Sequence, residues 1–228
     1  MTSLTFTFGN PRLREKMGVF ALYFFLLCGG LWHLLGWFQP LMRWSAGPLM
    51  IALGSLIAWQ SWQKSERKNS FLLWAGLSAI TGFAAEGFGV ATGLLFGDYQ
   101  YGPVLQPQFL EVPLAIGFAW LLMLLSAAAL LQHYLPAFAE LPPLYQALPI
   151  ALMMVLFDVV MEPAAILLDY WHWQGGIVPL QNYLAWFAIG FLLAWAGARA
   201  GLFRQKLPQL ARHAFIAQIL YFLMVIAK

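Results

Sequence analysis

Long apolar runs broken by short polar connectors dominate the chain from about residue 17 to its end. A helix that crosses a bilayer needs about 20 mainly apolar residues. On that criterion the runs predict seven spans, at roughly 17–38, 45–63, 71–97, 112–135, 146–168, 181–203 and 208–227. Charge marks some connectors, as in Lys64-Ser65-Glu66-Arg67-Lys68, and proline marks others, as in Pro142-Pro143. The expected fold class is all-α, a polytopic transmembrane helical bundle forming one integral membrane domain over 1–228. The first run is longer than a signal-peptide core and lacks a small-residue cleavage site, so it is expected to be a retained span.

Composition agrees with the pattern. The chain is 62% hydrophobic and only 9% charged, against about 25% charged residues in soluble domains. Its cationic residues set the expected orientation through their excess on cytoplasmic loops. With the N-terminus inside, the inner segments hold Arg12, Arg14, Lys16, Lys64, Arg67, Lys68, Arg199, Arg204, Lys206 and Arg212, and the outer side only Arg43 and Lys228. This predicts an N-in, C-out protein. Clustering at membrane edges rather than on one face argues against a nucleic-acid partner. Cys28 is the lone cysteine, which excludes an internal disulfide and a cysteine-based metal site.

Against this background the acidic residues are misplaced. Glu86, Asp98 and Glu111 fall within or beside one strongly apolar stretch, and Asp158, Glu162 and Asp169 within another, with no basic residue nearby in sequence. Carboxylates inside a bilayer are expensive, and by default they mark function. Glu86 precedes Asp98 by twelve residues and Asp158 precedes Asp169 by eleven. If both helices continue, each inner acid lies roughly 16–18 Å below its outer partner, near mid-membrane. At about 100° per residue, Gly82, Glu86, Gly89, Gly93 and Gly97 then share an arc of roughly 80°. Asp158, Glu162 and Asp169 share about 40° on the same assumption, with Pro163 expected to kink the helix. Two acids one turn apart repel when both are ionised, so at least one of Asp158 and Glu162 is expected to hold a proton. A protonated acid beside an ionised one is what general acid–base chemistry requires. The blander reading of Glu86, as a hydrogen-bonding anchor between helices, stays open.

A weak repeat accompanies the acids. Asp98-Tyr99-Gln100-Tyr101-Gly102 is echoed by Asp169-Tyr170-Trp171-His172-Trp173-Gln174-Gly175, and Pro113-Leu114 with Ala119-Trp120 by Pro179-Leu180 with Ala185-Trp186. Spans three–four and five–six are candidates for duplicated units of parallel orientation. Tyr99, Tyr101, Tyr170, Trp171 and Trp173 fall at the outer interface, where an aromatic belt is the favoured reading over contact with a ligand. His33, His133, His172 and His213 have no paired ligand spacing, which argues against haem or metal. No span interior carries a lysine for a retinal Schiff base. No glycine-rich phosphate loop, nucleophile elbow or aspartate-rich diphosphate motif is present.

Two stretches carry a resemblance. The first is Glu86-Gly87-Phe88-Gly89-Val90-Ala91-Thr92-Gly93 with Phe96-Gly97-Asp98-Tyr99-Gln100-Tyr101 and Val112-Pro113-Leu114. The second is Asp158-Val159-Val160-Met161-Glu162-Pro163 with Tyr170-Trp171-His172-Trp173 and Asn182-Tyr183. Together they resemble the membrane-embedded carotenoid biosynthesis proteins of the bisanhydrobacterioruberin hydratase and gamma-carotene hydratase type, over roughly residues 82–186. The resemblance implies a multi-pass protein of the cytoplasmic membrane, a hydro-lyase that adds water to the terminal double bond of an acyclic carotenoid to give a tertiary alcohol. It implies no cofactor and no metal. The implied partners are the lipid bilayer, the carotenoid, water and other enzymes of the same pathway.

On that basis Glu86, Asp158 and Glu162 are the candidate catalytic acids, with Glu86 or Glu162 as proton donor and Asp158 as the base that activates water. Asp98 and Asp169 are candidates for a wet path from the outer side. Tyr99, Tyr101, Glu111, Trp120, Trp171, Asn182, Tyr183 and Trp186 are candidates for the cavity or that path. A carotenoid cyclase of related architecture, a proton-coupled membrane transporter with the three acids as relay, and a non-catalytic carotenoid binder stay open as alternatives.

Overall fold

The computed structural model describes residues 11–228, with side chains from Leu13 onward; the Arg12 side chain of the inner cationic set lies outside the described residues. Seven α-helices follow one another: α1 (Pro11–Leu35), α2 (Gln39–Lys64), α3 (Lys68–Thr92), α4 (Ala115–Tyr134), α5 (Pro143–Leu167), α6 (Leu180–Arg199) and α7 (Gln209–Ile226). All seven are long and apolar enough to cross a membrane, and the protein is a multi-pass membrane bundle. Helix α4 is apolar on every side, as befits a helix surrounded by protein. It packs against α2, α3, α5 and α7, while α5 lies along α6 and α1 along α7. The apolar window of α4 is 72% buried, against 17% for α1 and for α2.

Contacts between connectors define the two ends of the bundle. Lys64 at the end of α2 pairs with Glu15 near the start of α1, and the Glu66 N–H donates to Gln205 in the α6–α7 connector. At the opposite end Arg43, near the start of α2, pairs with Asp169 in the α5–α6 connector. Both strand ladders lie in the connectors of this second end. Strand β1 (Tyr99–Tyr101) pairs antiparallel with β4 (Trp171–Trp173), and β2 (Gln108–Phe109) with β3 (Val112–Pro113).

Neither acid-bearing helix continues to its outer acid. Span three ends at Thr92 rather than at residue 97, because Gly93 takes the left-handed conformation (φ 66°) and its N–H closes on the Gly89 carbonyl. Such a glycine is the common device for ending a helix. Span five ends at Leu167, and Asp169 has φ 63°. The rise and arc expected for Asp98, Gly93, Gly97 and Asp169 therefore do not apply. Glu86 lies six residues, or about 9 Å, from the end of α3, midway between that end and the helix centre. Helix α5 runs on through Pro149 and Pro163 without interruption.

The β1–β4 ladder gives the repeat a geometric basis. Gln100 pairs with His172, a separation of 72 (172 − 100). The same separation relates Glu86 to Asp158 (158 − 86), while Pro113 and Trp120 relate to Pro179 and Trp186 by 66 (179 − 113 and 186 − 120). Trp120 and Trp186 stack on each other with ring centroids 4.3 Å apart. The Gln100/His172 and Trp120/Trp186 contacts thus bring α3-β1-α4 and α5-β4-α6 together at positions that match in sequence. The residue equivalent to Glu162 is Val90 (162 − 72), so only the second unit carries a second acid.

One connector is held by a single side chain. The Gln146 amide, buried in the first turn of α5, donates to the carbonyls of Phe138, Ala139 and Leu141 at 3.0–3.1 Å. Gln146→Leu keeps the volume but strands those acceptors. A loss of about 1–3 kcal/mol is expected, read as a lowered Tm in detergent.

Candidate active site

The three deep acids come from two helices, and each is held by polar side chains of the unit that carries it. On α3, Glu86 Oε2 accepts the hydroxyls of Tyr99 and, at 2.9 Å, Tyr101, both from β1. Its Oε1 accepts the Trp120 indole N–H from α4 at 3.1 Å. On α5, Glu162 Oε2 accepts the indole N–H groups of Trp171 and Trp173 from β4, at 3.0 and 2.8 Å. Asn182 from α6 donates to Asp158 Oδ2 at 2.7 Å and to Glu162 Oε1 at 3.4 Å. Side chains alternate along a strand, so Tyr99 and Tyr101 turn inward with Trp171 and Trp173 while Gln100 and His172 stay exposed. These rings are thus part of the interior, not of the expected interfacial belt. Burial, and next the facing Glu86 carboxyl, pushes the Tyr99 and Tyr101 hydroxyls up, so both remain neutral donors.

Six carboxyl oxygens are involved, and five have a donor. The sixth, Asp158 Oδ1, is buried with no hydrogen-bond partner among the described residues. Asp158 itself is fully buried. A buried polar atom left unpaired calls for an explanation.

Glu86, Asp158 and Glu162 line one largely apolar cavity of about 60 Å³. Of the other residues singled out from sequence, Tyr99, Tyr101, Trp120, Trp171, Asn182 and Trp186 line it too. Asp98 and Glu111 do not; they line a polar pocket that shares the walls Tyr99 and Trp173 with the cavity. Asp169 is engaged by Arg43 and, at 2.7 Å, by His172. It lines a second polar pocket that meets the cavity at Tyr170. Tyr183 is half-buried on α6 and absent from all of these walls. Among the described residues no group of three or more His, Cys, Asp or Glu side chains is placed to hold a metal ion.

Sequence reasoning missed the walls contributed by α2 and α7, Met50, Gln218 and Phe222. Gln218 carried a signal, as a polar residue in the middle of span seven. The glycine face proves to be a packing device: a methyl on Gly82 would overlap the Trp120 ring and one on Gly89 would meet Phe96 at 2.5 Å. Gly82 therefore lets Trp120 reach Glu86.

Six of the seven apolar helices, all but α1, contribute to a buried cavity lined by three carboxyl groups, in a polytopic membrane bundle. The chain belongs to the family of carotenoid biosynthesis proteins, which matches residues 46–228. It is 30% identical over 143 residues to the bisanhydrobacterioruberin hydratase of Haloarcula japonica, covering 58% of this chain and 48% of that protein. The chain thus spans about half the length of that curated relative. No solved structure matches it.

Proposed function

We propose that the protein is a carotenoid hydratase of the cytoplasmic membrane, N-terminus inside, which adds water to the terminal double bond of an acyclic carotenoid. The observation that carries this reading is the distribution of donors over the three acids. Indole N–H groups can only donate, so Glu162 Oε2 is an acceptor, and Glu86 meets three donors across its two oxygens. Asp158 Oδ1 alone is free to carry a transferable proton. The roles assigned from sequence are accordingly reversed: Asp158 is the acid, and Glu86 and Glu162 are the anionic groups.

In the proposed reaction the Asp158 O–H bond breaks and its proton joins the less substituted alkene carbon, leaving a tertiary cation. The Glu86 and Glu162 carboxylates stabilise that cation, aided by the faces of Trp120 and Trp186. Water bonds to the cationic carbon and loses a proton to the Asp158 carboxylate left by the first step, which restores the acid. The sum is one water added, with no change of oxidation state. Expression in a host that accumulates an acyclic carotenoid, followed by mass analysis, tests this. A product heavier by one water is expected. An unchanged mass with altered absorption would make the protein a cyclase, and unaltered pigment would overturn the reading.

A further inference from the structure

The cavity is too small for the molecule that the reaction requires. On the scale where a water needs about 10–15 Å³, its roughly 60 Å³ admits a branched chain end and a water, not a polyene. The body of the substrate must lie elsewhere. Both polar pockets are poor hosts for it, since one is lined by Asp98, Glu111 and His172 and the other by Arg43, Asp169 and Lys228.

A third space has the opposite character. It is a largely apolar groove of about 200 Å³ with Gly29 and Trp32 from α1, Ser45 and Leu49 from α2, and Tyr221 from α7 on its walls. Five residues, Met50, Leu122, Tyr170, Gln218 and Phe222, line both this groove and the acid cavity. The groove therefore lies against the cavity across a shared wall. It lies along α1 and α2, the two least buried spans, which are the helices most open to lipid. Along α2 its lining runs from Met42 to Leu53, about 16 Å of helix.

We infer that the groove between α1, α2 and α7 holds the polyene body of the substrate, with Met50, Leu122 and Phe222 as the neck through which only the reacting end passes. This rests on the hydratase reading and adds the route. The oily reactant comes from the lipid side of α1 and α2, and water from the strand end past Tyr99 and Trp173. The two reactants then meet at Asp158 from different directions, and the neck keeps bulk water from following the chain.

Substrate length provides the test. An acyclic carotenoid needs the groove, whereas a short acyclic terpene with the same end group needs only the cavity. Ser45→Trp, which fills the groove at a residue that does not line the acid cavity, is expected to lower the long-to-short ratio of kcat/KM by roughly tenfold or more, the scale on which apolar pockets discriminate by shape. Gly29→Ala is the second arm. Its methyl meets Tyr221 at an ordinary 3.5 Å, so the fold is kept and a smaller shift in the same direction is expected. An unchanged ratio in both variants overturns the route. Loss of both substrates in Ser45→Trp leaves the decision to Gly29→Ala. Wild-type protein that converts neither substrate overturns the hydratase reading instead, before any variant is made.

Discussion

Asp158→Asn is expected to lower product formation by about 10²–10⁴-fold, the range for removing a positioned general acid, while leaving the Tm and the bound pigment unchanged. The substitution keeps the volume of a side chain that is fully buried. The oxygen of the new amide can still accept the Asn182 hydrogen bond that Oδ2 receives at 2.7 Å. What the change removes is the acidic O–H at the one oxygen of the three deep carboxyls that has no hydrogen-bond partner among the described residues. The measurement is the initial rate in isolated membranes, paired with a melting curve and the absorption spectrum of co-purified carotenoid. Running the reaction of the wild-type protein in heavy water sharpens it, since one deuterium per hydrated end should appear on the less substituted carbon. An Asp158→Asn protein that turns over within a few-fold of wild type would remove Asp158 from the role of donor. In that event Glu162, which shares Asn182 with it, becomes the next group to replace.

The parts of this structure legible from sequence are those that depend on one dimension. Seven apolar runs became seven helices, because hydrocarbon thickness sets a minimum length and no competing structure can satisfy the backbone there. The three deep acids stood out for the same reason, being polar where polarity is costly. Helix ends were harder to read. Leu94, Leu95 and Phe96 continue the apolar run after Thr92, so hydropathy alone does not announce that Gly93 turns the chain. Nor does it announce the three-residue strands, whose partners lie 72 positions apart at Gln100 and His172. Without that pairing, Tyr99, Tyr101, Trp171 and Trp173 looked like an interfacial belt, since aromatic residues at a span end usually are one. The pairing folds the connector rings back onto Glu86 and Glu162, and so turns two isolated acids into engaged ones. A glycine such as Gly82 permits close helix approach or leaves room for a ligand, and in the structure the place of its missing methyl is taken by Trp120.

The blander reading of Glu86, as an anchor that ties α3 to β1 and α4, makes a prediction that differs from an electrostatic role. In Glu86→Gln the amide oxygen can still accept the two tyrosine hydroxyls, but the new NH₂ then faces the Trp120 N–H that Oε1 now accepts at 3.1 Å. Two donors opposed in a buried site cost about 1–3 kcal/mol, so a lowered Tm is expected on either reading. Removing the opposing donor separates them. Trp120→Phe takes away the indole N–H, so the double variant should recover the stability lost in Glu86→Gln, measured against Trp120→Phe alone. If Glu86 only anchors helices, turnover in the double variant should match that of Trp120→Phe. If its negative charge faces the developing cation, turnover should stay lower by roughly 10²–10³-fold, the usual effect of losing one preorganised electrostatic partner. We expect the second outcome. Glu86 lines the same cavity as the acid pair, and it precedes Asp158 by the 72 residues that also separate Gln100 from His172. Tyr99, buried, and Tyr101, half-buried, both neutral, can stabilise its charge without cancelling it.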